Sequence, residues 1–294
     1  MDNGITVNAY AKINLALDVL GRRDDGYHNL RMVMQSVSFC DILTLRKSRS
    51  GRHTITTEGG KCAGLPVGSR NLALLAAELF FARAGIQDVS LDITLDKRIP
   101  VCAGLGGGSS DAAAVLLALR GEFAPELPIE TLLEWALELG SDVPFCVLGG
   151  TALAGGRGEA LTPLPPLPPC HIVLCKPPVP VSTRKAFEMI DKVKISRRPD
   201  IAGLRAALSR EDLPGAARYM YNVFEDTLTE KHRDIRAIHS ALLDFGALGA
   251  VMSGTGPTVL GVFSDGQAAR AARDELSKTF AETYLCESRA SYKS

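Results

Sequence analysis

From Ile5 to Leu20 apolar residues alternate in part with polar ones, and this period of two predicts a strand with Lys12 and Asn14 as polar interruptions. Arg22 to Tyr27 breaks the pattern with Asp24-Asp25-Gly26, a strong turn sequence. Ser36 to Leu45 and Thr54 to Thr57 read as further strands. Asn71 opens an apolar helix to about Ala84, which Gly85 ends. Val89, Leu91, Ile93 and Leu95 alternate as a half-buried strand does. Pro128 begins a helix over Ile129 to Leu139, with Leu132, Leu133, Ala136 and Leu137 on one side; Gly140 stops it, and Ser141-Asp142-Val143-Pro144 follows. Leu161 to Pro169 holds five prolines and reads as a stiff linker. Beyond it come a strand over Ile172–Cys175 and helices around Arg184–Asp191, Ile201–Ala207, Leu213–Arg218 and Asp234–Phe245. Strands over Leu248–Met252 and Thr258–Phe263 flank Ser253-Gly254-Thr255-Gly256-Pro257, and Ala268 to Phe280 is the last helix. Strands and helices mixed without regular alternation or repeat argue an α+β chain, divided near the proline-rich stretch into residues 1–162 and 163–294.

One stretch does not fit a period. Gly104, Gly106, Gly107 and Gly108 are four glycines in five positions, shortly after Pro100, and an Ala- and Leu-rich run to Leu119 follows them. The glycines read as a loop and the run as a buried helix, with Ser109, Ser110 and Asp111 at the junction, where helix caps belong. A glycine loop entering a helix N-terminus offers free backbone N–H groups and the positive end of the helix dipole, which suits phosphate. No Lys follows the glycines, so this is not a Walker A loop. Ser109 stands where the dinucleotide fingerprint wants its third glycine, and no clear strand leads into it. The loop points to phosphate and leaves the phosphate's owner open; a flexible loop before a core helix is the plain alternative.

Composition narrows the classes. The chain has 294 residues, 46% of them hydrophobic and 22% charged, enough for a sizeable core and about two domains. Thirty-three basic residues balance 33 acidic ones, so no electrostatic footprint for nucleic acid or an anionic membrane exists. No apolar run reaches the length of a transmembrane helix, and the N-terminus lacks the regions of a secretory signal. The seven cysteines (40, 62, 102, 146, 170, 175 and 286) include no Cys-x-x-Cys pair, which favours reduced thiols in a cytoplasm over a disulfide framework or zinc site.

Phosphoryl transfer to an alcohol needs held phosphates, a base for the hydroxyl and positive charge at the transferring group. Asp142, past a helix end between Gly140 and Pro144, is the candidate base; a turn aspartate closing an Asx hydrogen bond is the alternative. Lys12, interrupting an apolar strand, is the candidate cation; a strand-edge lysine that blocks aggregation is its alternative. Tyr27-His28, closing the Asp-Gly turn, could stack on and hydrogen-bond a base, or be a half-buried turn pair. Ser253-Gly254-Thr255-Gly256 is either a hairpin turn or a second backbone cradle. His232-Arg233-Asp234 and Asp244-Phe245-Gly246 spell protein-kinase triplets, yet His239 stands where a kinase catalytic loop needs Asn. Ile235, Ile238, Leu242 and Phe245 instead share one face of an amphipathic helix.

Taken together, these stretches resemble the GHMP kinase superfamily. The central loop resembles its second motif, Pro-x-x-x-Gly-Leu-Gly-x-Gly/Ser-Ser-Ser, and residues 252–257 resemble its C-terminal motif. Ala11-Lys12-Ile13-Asn14-Leu15, Arg23 to Leu30, Asn71-Leu72 and Gly140 to Phe145 resemble the members that act on 4-diphosphocytidyl-2-C-methyl-D-erythritol in non-mevalonate isoprenoid synthesis. Tyr10 in place of a usual Pro, and Asn222-Val-Phe-Glu225 in place of Asn-Asp-Leu-Glu, are the departures. The resemblance implies ATP-dependent phosphorylation of that substrate's 2-hydroxyl, with Mg²⁺ accompanying ATP. It implies an α+β two-domain GHMP kinase fold: a ribosomal protein S5 domain 2-like N-terminal domain, a ferredoxin-like C-terminal domain, and the active site in the cleft between them. By position Lys12 and Asp142 match the catalytic pair, Tyr27 and His28 the cytosine-recognising residues, and Asn14 a polar contact near the reacting end. Val101, Cys102, Ala103, Gly104, Leu105, Gly106, Gly107, Gly108, Ser109, Ser110 and Asp111 match the ATP-phosphate cradle. A different small-molecule GHMP kinase, a non-catalytic nucleotide sensor and a dinucleotide oxidoreductase are the rival readings. The expectation is a cytoplasmic monomer or weak homodimer whose partners are small molecules, not nucleic acid or membrane.

Overall fold

The structure, a computed structural model, describes residues 4–59, 70–195, 197–229 and 232–291. The chain forms two compact units that are not successive stretches of sequence. The first takes Met1–Lys12, Cys40–Val101 and Gly106–Leu148; the second takes Ile13–Phe39, Cys102–Leu105 and Gly149–Ser294. Two long strands, β1 (Ile5–Arg22) and β2 (His28–Lys47), each run through both.

In the first unit β2 pairs antiparallel with β4 (Leu91–Asp96), Ile42 opposite Asp96 and Lys47 opposite Leu91. β3 (Thr54–Glu58) lies parallel to β4, Thr54 opposite Asp92. The alternation read from sequence turns Leu91, Ile93 and Leu95 inward beside Leu43 and Leu45. Among the described residues four helices complete the unit: α1 (Leu72–Ala84), α2 (Gly107–Phe123), α3 (Ile129–Leu139) and α4 (Val143–Leu148). Asn71 caps α1 by accepting the Ala73 N–H at 3.0 Å, and Gly85, at φ 67°, ends it. α1 packs on α2, whose alanines let the two axes approach; Phe80 meets Phe81 and Trp135 edge-on.

In the second unit β5 (Thr151–Gly155) pairs with β2, Met32 opposite Ala154, and β6 (Ala160–Pro163) pairs with β5. β8 (Tyr221–Asn222) runs parallel to β1. A separate antiparallel sheet has the order β11-β7-β10-β9, from β7 (His171–Lys176), β9 (Gly249–Met252), β10 (Val259–Phe263) and β11 (Glu282–Glu287). The helices are α5 (Thr183–Ile190), α6 (Ile201–Ser209), α7 (Leu213–Arg218), α8 (Arg233–Asp244) and α9 (Gly266–Ser277). Ser182, Asp200, Asp212 and Asp265 cap α5, α6, α7 and α9 through their side chains. α8 and α9 pack on the sheet, and α8 buries Ile235, Ile238 and Leu242, so the two kinase-like triplets are the ends of one ordinary helix.

Several elements differ from the sequence expectation. Residues 28–35 belong to β2, and α4, β5, β6, β8 and β11 are additional. α4 continues from the Gly140–Pro144 block, and Val143 to Val147 are buried on all sides, so tertiary packing outweighs weak local propensity. α2 begins at Gly107, two residues before Ser109, with Gly106 (φ 67°) as its N-cap and no side-chain cap. Ser109, Ser110 and Asp111 therefore lie within the first turns, and Ser110 Oγ donates back to Gly107 O at 2.9 Å. The proline-rich stretch is pinned to β5: Leu164 N–H donates to Thr151 O at 2.9 Å and Leu167 N–H to Thr151 Oγ1 at 3.0 Å. Six of the cysteines are free thiols, and Cys62 lies outside the described residues. Among the described residues no helix is long and apolar enough to cross a membrane.

Candidate active site

Within the first unit, Lys12 at mid-β1 and Asp142 at the entry to α4 meet, Nζ to Oδ2 3.3 Å. Lys12 is buried and Asp142 one-third exposed, so the pair has a sealed and an open side. Lys12 is no exposed edge residue, and among the described residues the Asp142 carboxylate accepts no Asx-type backbone hydrogen bond. The Asp142 carbonyl instead accepts Cys146 N–H at 3.1 Å, starting α4 and fixing where the carboxylate projects.

The glycine loop needs its glycines at two places. Gly104 has φ 77° and Gly106 φ 67°, the left-handed region. A Cβ on Gly106 would sit 2.8 Å from Lys12 Cγ, so the loop backbone lies directly against that side chain. Gly107 is helical; there a Cβ would come within 3.0 Å of Lys97 Nζ and 3.1 Å of Ile99 Cγ2. Ala103 and Leu105 are buried. Gly107, Gly108 and Ser109 open α2, where backbone N–H groups lack helical acceptors and the dipole favours an anion.

Sequence reading missed the cluster under this loop. Lys97 Nζ donates to Asp111 Oδ2 at 2.8 Å and to Asp41 Oδ2, all three side chains almost fully buried. Asp41 Oδ1 also accepts the N–H of Arg98 at 2.6 Å and of Ile99 at 2.8 Å. Asp41 thus holds the backbone entering the loop, while Asp111 Oδ1 has no hydrogen-bond partner among the described residues. Burial pushes the Asp111 carboxyl up to about 8; Lys97 opposes this and Asp41 adds to it. Lys97 is held above the usual lysine range, the two carboxylates outweighing its burial. The sequence marks Asp111 at the loop–helix junction and places a Lys just before the loop, while Asp41 carries no local signal.

In the second unit Ser253 Oγ accepts Asn14 N–H at 3.2 Å and donates to Gly104 O at 2.9 Å. Asn14 is fully buried, its Nδ2 3.4 Å from Met32 Sδ. A Cβ on Gly104 would lie 2.2 Å from Ser253 O, so the 252–257 turn rests directly against Gly104. Asn222 Nδ2 donates to Met252 O and Gly254 O, both at 2.7 Å, and the Glu225 carboxylate accepts Met252 N–H at 2.7 Å. Burial pushes Glu225 up, and the Met252 N–H works against that. Val223 and Phe224, the residues that depart from the usual pattern, are buried and apolar.

Tyr27 and His28 follow a tight turn, also in the second unit. Gly26 has φ 84°, Arg23 N–H donates to Tyr27 O at 2.7 Å, and Tyr27 N–H donates to Asp25 Oδ1 at 3.1 Å. That N–H, with Arg23, holds the Asp25 carboxyl below its usual range. Tyr27 is 54% exposed, and the Arg157 guanidinium covers its ring at 4.1 Å from the centroid. His28 is buried: Nε2 lies 2.7 Å from Asp191 Oδ1, and its ring stacks on Phe187 with centroids 4.8 Å apart. Phe224 braces Phe187 edge-on at 5.0 Å. Arg157, Phe187 and Asp191 had no local sequence signal. Among the described residues no group of three or more His, Cys, Asp or Glu is placed to hold a metal ion.

The chain matches the family models for the GHMP kinase N-terminal domain over residues 71–150 and the GHMP kinase C-terminal domain over residues 204–282. It is 40% identical over 284 residues to the 4-diphosphocytidyl-2-C-methyl-D-erythritol kinase of Alkaliphilus metalliredigens (strain QYMF), covering 97% of this chain and 96% of that one. A crystal structure of 4-(cytidine 5'-diphospho)-2C-methyl-D-erythritol kinase superposes with a TM-score of 0.80 at 32% identity, covering 97% of this chain and 99% of the other. Homoserine kinase from Cytophaga hutchinsonii shares the fold at a TM-score of 0.74 and 21% identity, over 99% and 96% of the two chains. With the α+β architecture, the glycine loop and these matches over nearly its whole length, the chain belongs to the 4-diphosphocytidyl-2-C-methyl-D-erythritol kinase family of GHMP kinases.

Proposed function

We propose that Lys12 and Asp142 are the pair with which this chain, a kinase of that family, transfers the γ-phosphoryl group of ATP to the 2-hydroxyl of 4-diphosphocytidyl-2-C-methyl-D-erythritol. The observation that carries the assignment is their 3.3 Å ion pair with Lys12 packed against Gly106, at the entry to α2. Asp142 orients the attacking hydroxyl and accepts its proton as the new P–O bond forms. Lys12 pairs with Asp142 and supplies positive charge where negative charge grows on the transferring group. The backbone from Val101 to Asp111, with the α2 N-terminus, cradles the ATP phosphates; the N–H groups of Gly107, Gly108 and Ser109 are the natural donors. Mg²⁺, expected with ATP, would neutralise phosphate charge.

Asn14, buried beside the Ser253 turn, is assigned to the reacting end of the substrate, and Tyr27 and His28 to its cytosine. The exposed Tyr27 ring and the His28–Phe187 stack support that assignment: an aromatic face for the base and an imidazole for its edge. The division into an ATP-binding N-terminal and a C-terminal GHMP kinase domain at 162/163 is supported by the two family matches, which fall on either side of it. We place the enzyme in the cytoplasm, as a monomer or weak homodimer, acting on small molecules alone.

The test is product formation from ATP and the cytidyl substrate, with mevalonate as the control acceptor. Tyr27→Ala and His28→Ala are expected to raise KM for the cytidyl substrate more than KM for ATP. If both variants lose ATP affinity and keep cytidyl affinity, the base assignment is wrong.

A further inference from the structure

We propose that Asp191 selects cytosine over uracil by fixing the tautomer of His28. The inference rests on the reading above, in which His28 meets the base. The Asp191 carboxylate is an acceptor, so its 2.7 Å contact with His28 Nε2 requires the imidazole proton to sit on Nε2. A neutral ring so held presents Nδ1 as a bare lone pair. Among the described residues Nδ1 makes no hydrogen bond, and it is not sealed from solvent. The ring is not free to turn, because Phe187 stacks on it and Phe224 braces Phe187.

An acceptor at Nδ1 pairs with the N4 amino group of cytosine. Uracil carries an oxygen acceptor at the equivalent position, and two lone pairs would then face each other. Asp191 is brought to His28 from 163 residues along the chain, just past the end of α5, and its backbone N–H is tied to Phe187 O at 3.3 Å. One short segment therefore supplies both the stacking ring and the carboxylate. Asp191 is a positioning residue: it acts through His28.

The experiment compares kcat/KM for the cytidyl substrate and its uridyl analogue in the wild type and in Asp191→Asn, Asp191→Glu and His28→Ala. Asparagine can accept from or donate to Nε2, so it admits both tautomers. Asp191→Asn is expected to lower the cytidyl-to-uridyl ratio about tenfold, read in KM of the base-bearing substrate rather than in kcat, while Asp191→Glu restores it. Nitrogen-15 NMR of the histidines is expected to show Nε2–H for His28 in the wild type and a mixture in Asp191→Asn, a signature that a purely structural role would not move. A ratio unchanged in Asp191→Asn, or an Nδ1–H tautomer in the wild type, overturns the proposal. If His28→Ala raises cytidyl KM while Asp191→Asn leaves the ratio alone, only the role of Asp191 fails. If His28→Ala leaves cytidyl KM unchanged, the base assignment fails and this inference with it.

Discussion

Lys97 and Asp111 meet at 2.8 Å where both side chains are shut away from water, and Asp41 shares the same ammonium. Two carboxylates on one cation cannot both ionise without a penalty. Asp41 accepts two backbone N–H groups besides Lys97, while Asp111 has one oxygen unpartnered among the described residues, so the proton belongs on Asp111. Its folded pKa of about 8 stands above the ordinary 3.8. The stability contributed by this group is therefore whole below pH 3.8, drains as pH rises, and is lost by about pH 8. Asp111→Asn cannot ionise. Its melting temperature relative to wild type is expected to climb with pH and level off near pH 8. Thermal melts at matched ionic strength check this, and a difference that does not vary with pH contradicts it.

Asp142→Asn keeps the shape of the side chain and removes its charge and basicity. Turnover is expected to fall by about 10²–10⁴ with ATP affinity nearly retained. Lys12→Met should lose turnover alongside it, and the double variant should be no worse than the poorer single one, as groups acting as a unit behave. Single-turnover kinetics with ATP titration measure both quantities. Near wild-type turnover in Asp142→Asn would remove that residue from the chemistry.

Gly106→Ala tests the loop more sharply than substitution of Gly107, whose backbone is helical. A side chain at φ 67° costs about 1–2 kcal/mol, and its Cβ would press on Lys12 Cγ at 2.8 Å. Displacing a reacting group by an ångström can lower kcat by about 10²-fold. The expected outcome is a modest drop in melting temperature with a much larger drop in kcat. Equal, small losses in both would mean that Lys12 is indifferent to the loop.

Asn222→Ala removes the donor shared by Met252 O and Gly254 O and the acceptor of Phe224 N–H. Leaving buried groups unsatisfied costs about 1–3 kcal/mol each, so denaturant unfolding should register a loss of at least about 2 kcal/mol. The 252–257 turn, no longer held, should also raise KM for one or both substrates. A stability change below about 0.5 kcal/mol would show that the turn holds itself.

Local regularities in the chain were enough for much of this protein. Alternation at Leu91, Ile93 and Leu95 and the Asn71 and Gly85 caps specify their elements because burial on one face leaves a period in the residues themselves; α3 forms where its stripe predicts, but of that stripe Leu132 and Ala136 are buried while Leu137 is exposed. The glycine loop with its Ala-rich helix, and the short blocks around Lys12, Tyr27 and Asp142, marked the chemistry, because phosphate and base binding demand particular residue types close together. What periodicity cannot carry is the partner of a buried polar group. Asp41 lies 56 residues before Lys97, Ser253 lies 149 beyond Gly104, and Asp191 lies 163 beyond His28. Nothing near any of these residues names its partner; the fold brings them together because a buried charge or hydrogen-bonding group left alone is too costly. The start of α2 shows the same limit. Ser109, Ser110 and Asp111 have the composition of caps, yet Gly106 in its left-handed conformation begins the helix and Asp111 turns to Lys97. Residue type suggested the role, and only tertiary packing decided which role each side chain took.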